Sequence, residues 1–179
     1  MLRNIFLIFI LGFVTRIIMS ILINSYPESF YSISSGDAIG FSIKASILSE
    51  NFNLTNIIST LKWNLYPFLL SIIYFLFLPN IYVGSIFTVL IWSISFFVIY
   101  DTLKRLKLSK FSILLALIFY SFFPSLIIFS SITLRDVFIL LFINITFNFF
   151  VKFYYKKYFI YLLIIIFQAS LIFLMHKNF

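Results

Sequence analysis

The sequence predicts an all-α fold: a polytopic transmembrane bundle of about five spans, with one or two interfacial helices in the first outer loop. Three observations predict it. Hydrophobic residues make up 63% of the 179 and charged residues only 10%, against roughly 25% charged in a soluble globular domain. The apolar residues are gathered into runs of membrane-crossing length, separated by short polar stretches. The basic residues cluster between those runs, where topology determinants are placed. The formal net charge of +8 is therefore an orientation signal, and a nucleic-acid partner is not expected. Cysteine is absent, which removes disulfides and thiolate metal sites.

The first run, 4–24 (NIFLIFILGFVTRIIMSILIN), is about 30 Å long as a helix, enough to cross the hydrocarbon core. It resembles a signal peptide in its basic start. Arg16 interrupts the apolar region, however, and no small-residue cleavage site follows, so an uncleaved first span is expected. A polar segment, 25–64, comes next. Later runs at 81–100, 111–131, 137–153 and 159–175 complete a single membrane domain over 1–179, with a basic loop at 101–110 (DTLKRLKLSK) and YYKKY at 154–158 between them.

The stretch 65–79 decides the span count. Pro67 and Pro79 bracket eleven residues, about 16 Å of helix and half of a typical hydrocarbon core. If this segment stays peripheral there are five spans. An inside N-terminus then puts Arg3, Lys104, Arg105, Lys107, Lys110, Lys152, Lys156 and Lys157 in the cytoplasm and Lys44, Lys62, Arg135 and Lys177 outside, eight against four. Six spans with an outside N-terminus give nine against three. Both obey the positive-inside rule; span length favours five.

Only five carboxylates occur in the chain. Under the five-span topology Glu28, Asp37, Glu50 and Asp136 lie on the outer side and Asp101 alone is cytoplasmic. In the outer loop, Ser34 or Ser35 can cap a helix beginning near Gly36. Ile39, Ile43 and Ile47 recur at a spacing of four, as on an interfacial amphipathic helix. Asp37 falls in its first turn, where free backbone amides stabilise the anion; taken by position alone, it is a favourable first-turn acid. Asp136 opens the apolar run at 137–153, at a place where charge near lipid is expensive.

Other polar residues have structural explanations of equal or greater weight. Arg16 should face the bundle interior and pair with a carboxylate or phosphate, because an unpaired guanidinium in lipid costs at least ~2.5 kcal/mol; it is either packing glue or a ligand for a carrier lipid. Asn144 and Asn148, four apart on one helix face, suit interhelical hydrogen bonds. His176 is a lone interfacial histidine, and Asn53-Leu54-Thr55 is a chance sequon in an Asn-rich chain. No phosphate loop and no zinc spacing occurs.

Several elements together carry a resemblance. A first span containing an arginine, an outer loop with an acid opening a helix (SSGDAIGFSIKASIL), a Tyr-Pro leading a short apolar helix (NLYPFLLSIIYFLF) and a Pro-containing span ending in a second acidic motif (FFPSLIIFSSITLRD) resemble the amino-terminal half of the GT-C membrane glycosyltransferases. The closest branch is the protein O-mannosyltransferase and lipid A aminoarabinose transferase type. The resemblance implies a bacterial inner-membrane protein of the cell envelope that transfers a sugar from a polyprenyl-phosphate carrier to a hydroxyl acceptor on the outer face. It matches Asp37 to the catalytic base and Asp136 to the second acid. Arg135, Lys44 and Arg16 become candidate ligands of the carrier phosphate. A divalent cation bridging the two acids would be the one inorganic cofactor, though two carboxylates are a weak metal signature. Such enzymes have many more spans, so a second chain supplying them would be a partner beside the bilayer and the polyprenyl-linked sugar. The alternative is a non-catalytic membrane component: a lipid-carrier transporter or polysaccharide polymerase fragment, or an assembly subunit.

Overall fold

The computed structural model describes residues 2–26, 36–50 and 65–176. The described residues form eight helices, with no strand among them: α1 (Leu2–Ser25), α2 (Gly36–Glu50), α3 (Leu65–Leu76), α4 (Ile81–Arg105), α5 (Lys110–Phe122), α6 (Pro124–Ser131), α7 (Asp136–Lys156) and α8 (Phe159–His176). The expectations for Glu28, Lys62, Lys177, the Ser34 or Ser35 cap, the sequon at 53–55 and the side chain of His176 lie outside the described residues.

Among the described residues α1, α4 and α7 are long and apolar enough to cross a membrane, and α5 with α6 makes a fourth such unit if the bent pair is one span. The chain is therefore an integral membrane protein. Helix α3 is a shorter apolar helix, as is the 159–175 stretch of α8. Local signals set the ends. Asn80 caps α4, its side-chain oxygen accepting from the Tyr82 amide at 2.9 Å, and Ser109 caps α5 through the Ser112 amide at 3.1 Å. Lys104 and Arg105 in the last turn of α4 complement the helix dipole. Lys157 closes α7 in the left-handed region, at φ 54°.

Side-chain pairs fix the directions. Asn24 meets Ser85 at 3.1 Å while Phe9 meets Phe97 at 4.8 Å between ring centroids, so α1 and α4 are antiparallel. Phe138 lies against Phe87, Asn144 against Ser95 and Asn148 against Thr102, so α7 runs parallel to α4. Helix α8 returns along α7, from Tyr161 beside Phe149 to the Met175 carbonyl beside Arg135. One end of the bundle thus gathers the end of α1, the start of α4, the start of α7 and the end of α8. The basic stretch after residue 101 lies at the other.

The run 111–131, expected as one span, is two helices meeting at 52°. Pro124 has no N–H to donate, and its ring disfavours helical backbone at the residue before it. Phe123 is accordingly extended, at φ −66° and ψ 122°. After α6 the chain stays non-helical through 132–135, yet Ser130 to Leu134 are all buried. Irregular backbone at membrane depth survives only where protein satisfies it. Here the Thr88 hydroxyl lies 3.2 Å from the Ser130 carbonyl and 3.0 Å from that of Ile132, and the Leu134 amide donates to Ile132 at 2.8 Å.

Close approach, more than bulk apolar burial, holds the helices together, since lipid tails are as apolar as leucine. Small side chains line the contacts: Ser20, Ser85, Thr88, Ser95, Ser121 and Thr133 are buried. Asn144 donates to Ser95 at 2.6 Å and to Tyr120 at 3.2 Å, and Asn148 to Thr102 at 2.8 Å, the interhelical bonds their spacing suggested. Gly84 is the tightest point, because a Cβ there would lie 2.3 Å from Thr133 Cγ2 and 2.7 Å from the Tyr74 hydroxyl. Gly84→Ala should therefore destabilise the fold by about 1–3 kcal/mol through overpacking, read as earlier loss of helicity on titration with a denaturing detergent; unchanged stability would mean that the 132–135 segment does not pack on α4.

Candidate functional site

Helix α2 presents two different faces. Ala38, Phe41, Ala45 and Ser49 are buried, with Phe41 edge-on to Tyr66 of α3 at 5.1 Å. Ile39, Ile43 and Ile47 are 42, 54 and 58% exposed, an apolar stripe on the face opposite the packed one, of the kind that meets a bilayer interface. Asp37 is exposed in the first turn, and Lys44 is exposed seven residues on. That separation is two turns, about 10 Å along one face of the helix.

The segment 132–135 runs beside the start of α2. Thr133 donates to the Ala38 carbonyl at 3.4 Å, and the Arg135 guanidinium carbon stands 5.8 Å from the centre of the Phe41 ring. Arg135 also donates to the Met175 carbonyl at 3.4 Å. Asp136 follows at once, exposed in the first turn of α7. Asp37, Lys44, Arg135 and Asp136 therefore belong to one end of the bundle, carried on two elements that are 95 residues apart where Thr133 meets Ala38. The convergence is incomplete. Asp136 opens onto a cleft of about 120 Å³ lined by Leu126, Phe129 and Ser130 of α6 and by Val137 and Leu140 of α7, with no α2 residue in its wall.

Tyr66, not among the candidate residues read from the sequence, lies between the two acid-bearing elements. Its ring contacts Phe41 of α2 and, at 5.4 Å, Phe138 of α7, and it is fully buried. Burial, with smaller contributions from Tyr74 and Asp136, holds its phenol well above the ordinary tyrosine range, so it is a neutral group close enough to Asp136 to feel its charge. The Tyr-Pro that opens α3 was its only sequence signal.

Arg16 is elsewhere. It is 0% exposed, and its partners among the described residues are neutral, the arrangement expected of packing glue, with no carboxylate among them. Nε donates to the Ser130 hydroxyl at 2.7 Å, while Nη1 donates to the carbonyls of Gly12 at 2.9 Å and Ser121 at 2.8 Å. The guanidinium carbon lies over Trp92, 3.6 Å from the ring centre. Ser121 O is one of the carbonyls left over where α5 stops before Pro124. Arg16 thus caps the broken helix instead of reaching a ligand, and no carrier phosphate can touch it without opening the packing.

No group of three or more His, Cys, Asp or Glu gathers among the described residues. With Asp136 opening on a cleft that α2 does not line, the donors do not fit the six-oxygen shell of a divalent cation, and no chemistry is routed through a metal. Set against family models, curated proteins and solved structures, the chain matches none.

Arg16→Met would keep the volume but leave the Ser121 carbonyl and Ser130 without their donor. Hydrogen bonds to a charged group contribute about 1.5–3 kcal/mol each, so the variant should lose about 3 kcal/mol in a detergent unfolding titration. Arg16→Lys should rescue little of it, because a lysine cannot stack on Trp92 and reach three acceptors at once. Wild-type stability of Arg16→Met would contradict the capping role.

Proposed function

We propose that this chain is a GT-C-like membrane glycosyltransferase, or the amino-terminal portion of one, that moves a sugar from a polyprenyl-phosphate carrier to a hydroxyl acceptor at the membrane face where α2 lies. The observation that supports it is the meeting of the first turn of α2 with the segment leading into Asp136. It sets two exposed acids, distant in sequence, at one end of a bundle whose chain has only five carboxylates in all. We take α8 as the fifth span in this reading: its 18 residues reach about 27 Å, and it returns along α7 to Arg135. The N-terminus is then cytoplasmic, the membrane the bacterial inner membrane, and α2 and α3 are peripheral on the outer side.

The chemistry follows from the acceptor. An alcohol is too weakly acidic to lose its proton unaided, so a positioned carboxylate takes it as the new glycosidic bond forms. Asp37, exposed on a helix at the interface, is the candidate base. The departing phosphate gains negative charge, which nearby cations stabilise; Lys44 on the face of Asp37 and Arg135 next to Asp136 are the candidates. Arg16 has no part in this and holds the frame. Tyr66, kept neutral, is a dry wall between the two acids.

A second reading, a non-catalytic membrane component or assembly subunit, is favoured by one observation: the cleft under Asp136 is walled by α6 and α7 alone. Substitution separates the two. Asp37→Asn should lower release of polyprenyl phosphate from a labelled carrier-linked sugar by ~100-fold or more, the scale of general-base catalysis, with membrane insertion unchanged. Wild-type turnover in that variant would eliminate Asp37 as base.

A further inference from the structure

The end of the bundle away from the two acids carries a second charged constellation. A groove of about 410 Å³ lies between α4 and α7, walled by Ile94, Phe97, Val98, Ile145 and Phe149 and bounded at its rim by Asp101, Asn148 and Lys152. Ile94 and Phe97 are 51 and 48% exposed, so the groove opens on the outer surface of two membrane-crossing helices. Its one carboxylate is committed. Asp101 accepts from Arg105 Nε at 2.7 Å and from Asn148 Nδ2 at 3.0 Å. Lys152 is half-buried, with its ammonium 4.3 Å from the centre of the Phe149 ring. No carboxylate lies within ion-pair distance of it among the described residues. Asp101 lies close enough to attract it, while Arg105 and Lys156 lie close enough to repel it. The rim therefore holds more positive charge than Asp101 neutralises, above walls that suit an acyl chain.

We propose that this groove binds an anionic membrane phospholipid, its phosphate at Lys152 and Arg105 and one acyl chain along Phe97, Ile145 and Phe149. Charge complementarity selects the headgroup, since Lys152 and Arg105 share a single carboxylate, Asp101, at the edge of low dielectric, and the positive charge left over gains from a phosphate. The apolar walls select a lipid over a free anion, which would leave them unfilled. The orientation rule puts this basic end in the cytoplasmic leaflet, where juxtamembrane lysine and arginine attract anionic lipid. Bound there, the lipid would bridge α4 and α7 beneath the Asn148 hydrogen bonds. The inference stands on the groove alone and is independent of any transferase activity.

The test is native mass spectrometry of the full chain released from detergent, offered phosphatidylglycerol and phosphatidylcholine with identical acyl chains. Phosphatidylglycerol should be retained preferentially, and Lys152→Gln should weaken that preference about fivefold, the contribution of one basic residue near a membrane surface. Lys152→Arg and the exposed Lys110→Gln should both keep it. If Lys152→Gln fails to fold, Ile94→Trp, which fills the mouth of the groove from its exposed side, should reduce retention of both lipids. Equal retention of the two lipids by the wild type, an unaltered preference in Lys152→Gln, or displacement of phosphatidylglycerol by inorganic phosphate at millimolar concentration would overturn the proposal.

Discussion

A guanidinium enclosed by a membrane protein holds the rest of this structure in place. Left against lipid, Arg16 would cost at least ~2.5 kcal/mol. Stacked on Trp92 and donating to Gly12, Ser121 and Ser130, it recovers more than that, because a desolvated cation–π contact alone is worth ~2 kcal/mol. What it recovers is spent on an interruption. Pro124 breaks the third long apolar run and frees the Ser121 carbonyl, and Arg16 supplies the donor that a continuing helix would have supplied. The broken run then turns by 52° and delivers a buried, non-helical segment against Gly84 and Thr88, which ends in Arg135 and Asp136.

That chain of consequences connects an arginine in the first helix to an acid at the head of the seventh. The non-helical segment can be buried only because Thr88 reaches its carbonyls and Gly84 offers no Cβ. Because it is buried there, Thr133 meets the carbonyl of Ala38 and Arg135 faces Phe41, and so α2 is fastened by its first turns. The buried face of α2 continues through Ala45 and Ser49, and its isoleucine stripe turns outward. A rigid bundle with an interfacial helix pinned beside a helix start is a reasonable frame for chemistry on a lipid-borne substrate, because it fixes polar groups at the edge of the bilayer and leaves water access to them.

Much of this was legible in the sequence, and the rest failed for definable reasons. Apolar run length gave the helical membrane class, and the two prolines at 67 and 79 marked α3 as short. Asn144 and Asn148 announced interhelical hydrogen bonds because an amide in an apolar helix has few other options. The interior position of Arg16 was readable for the same reason. Its partners were not, since backbone carbonyls carry no sequence signature and become acceptors only where a helix stops. Pro124 signalled a kink without signalling that the chain would leave the helix again for residues 132–135, a buried non-helical segment that depends on Thr88 and Gly84 in another helix. Tyr66 was hidden because its importance comes from Phe41 and Phe138 on either side, neither near it in sequence. The stripe Ile39, Ile43 and Ile47 was visible, whereas the opposite buried face, Ala38, Phe41 and Ala45, is too small and mixed to stand out.

Asp37 and Asp136 lie at the same end of the bundle because α2 packs against the segment before α7, and the same membrane face should therefore expose both. The absence of cysteine from the chain makes the measurement direct. Asp37→Cys and Asp136→Cys, made singly, would be labelled with a membrane-impermeant thiol reagent applied to intact cells and to inverted vesicles. Labelling of both positions from the same side, and from the side opposite a cysteine at position 104 in the basic loop, is the predicted result; labelling of 37 and 136 from opposite sides would contradict the account.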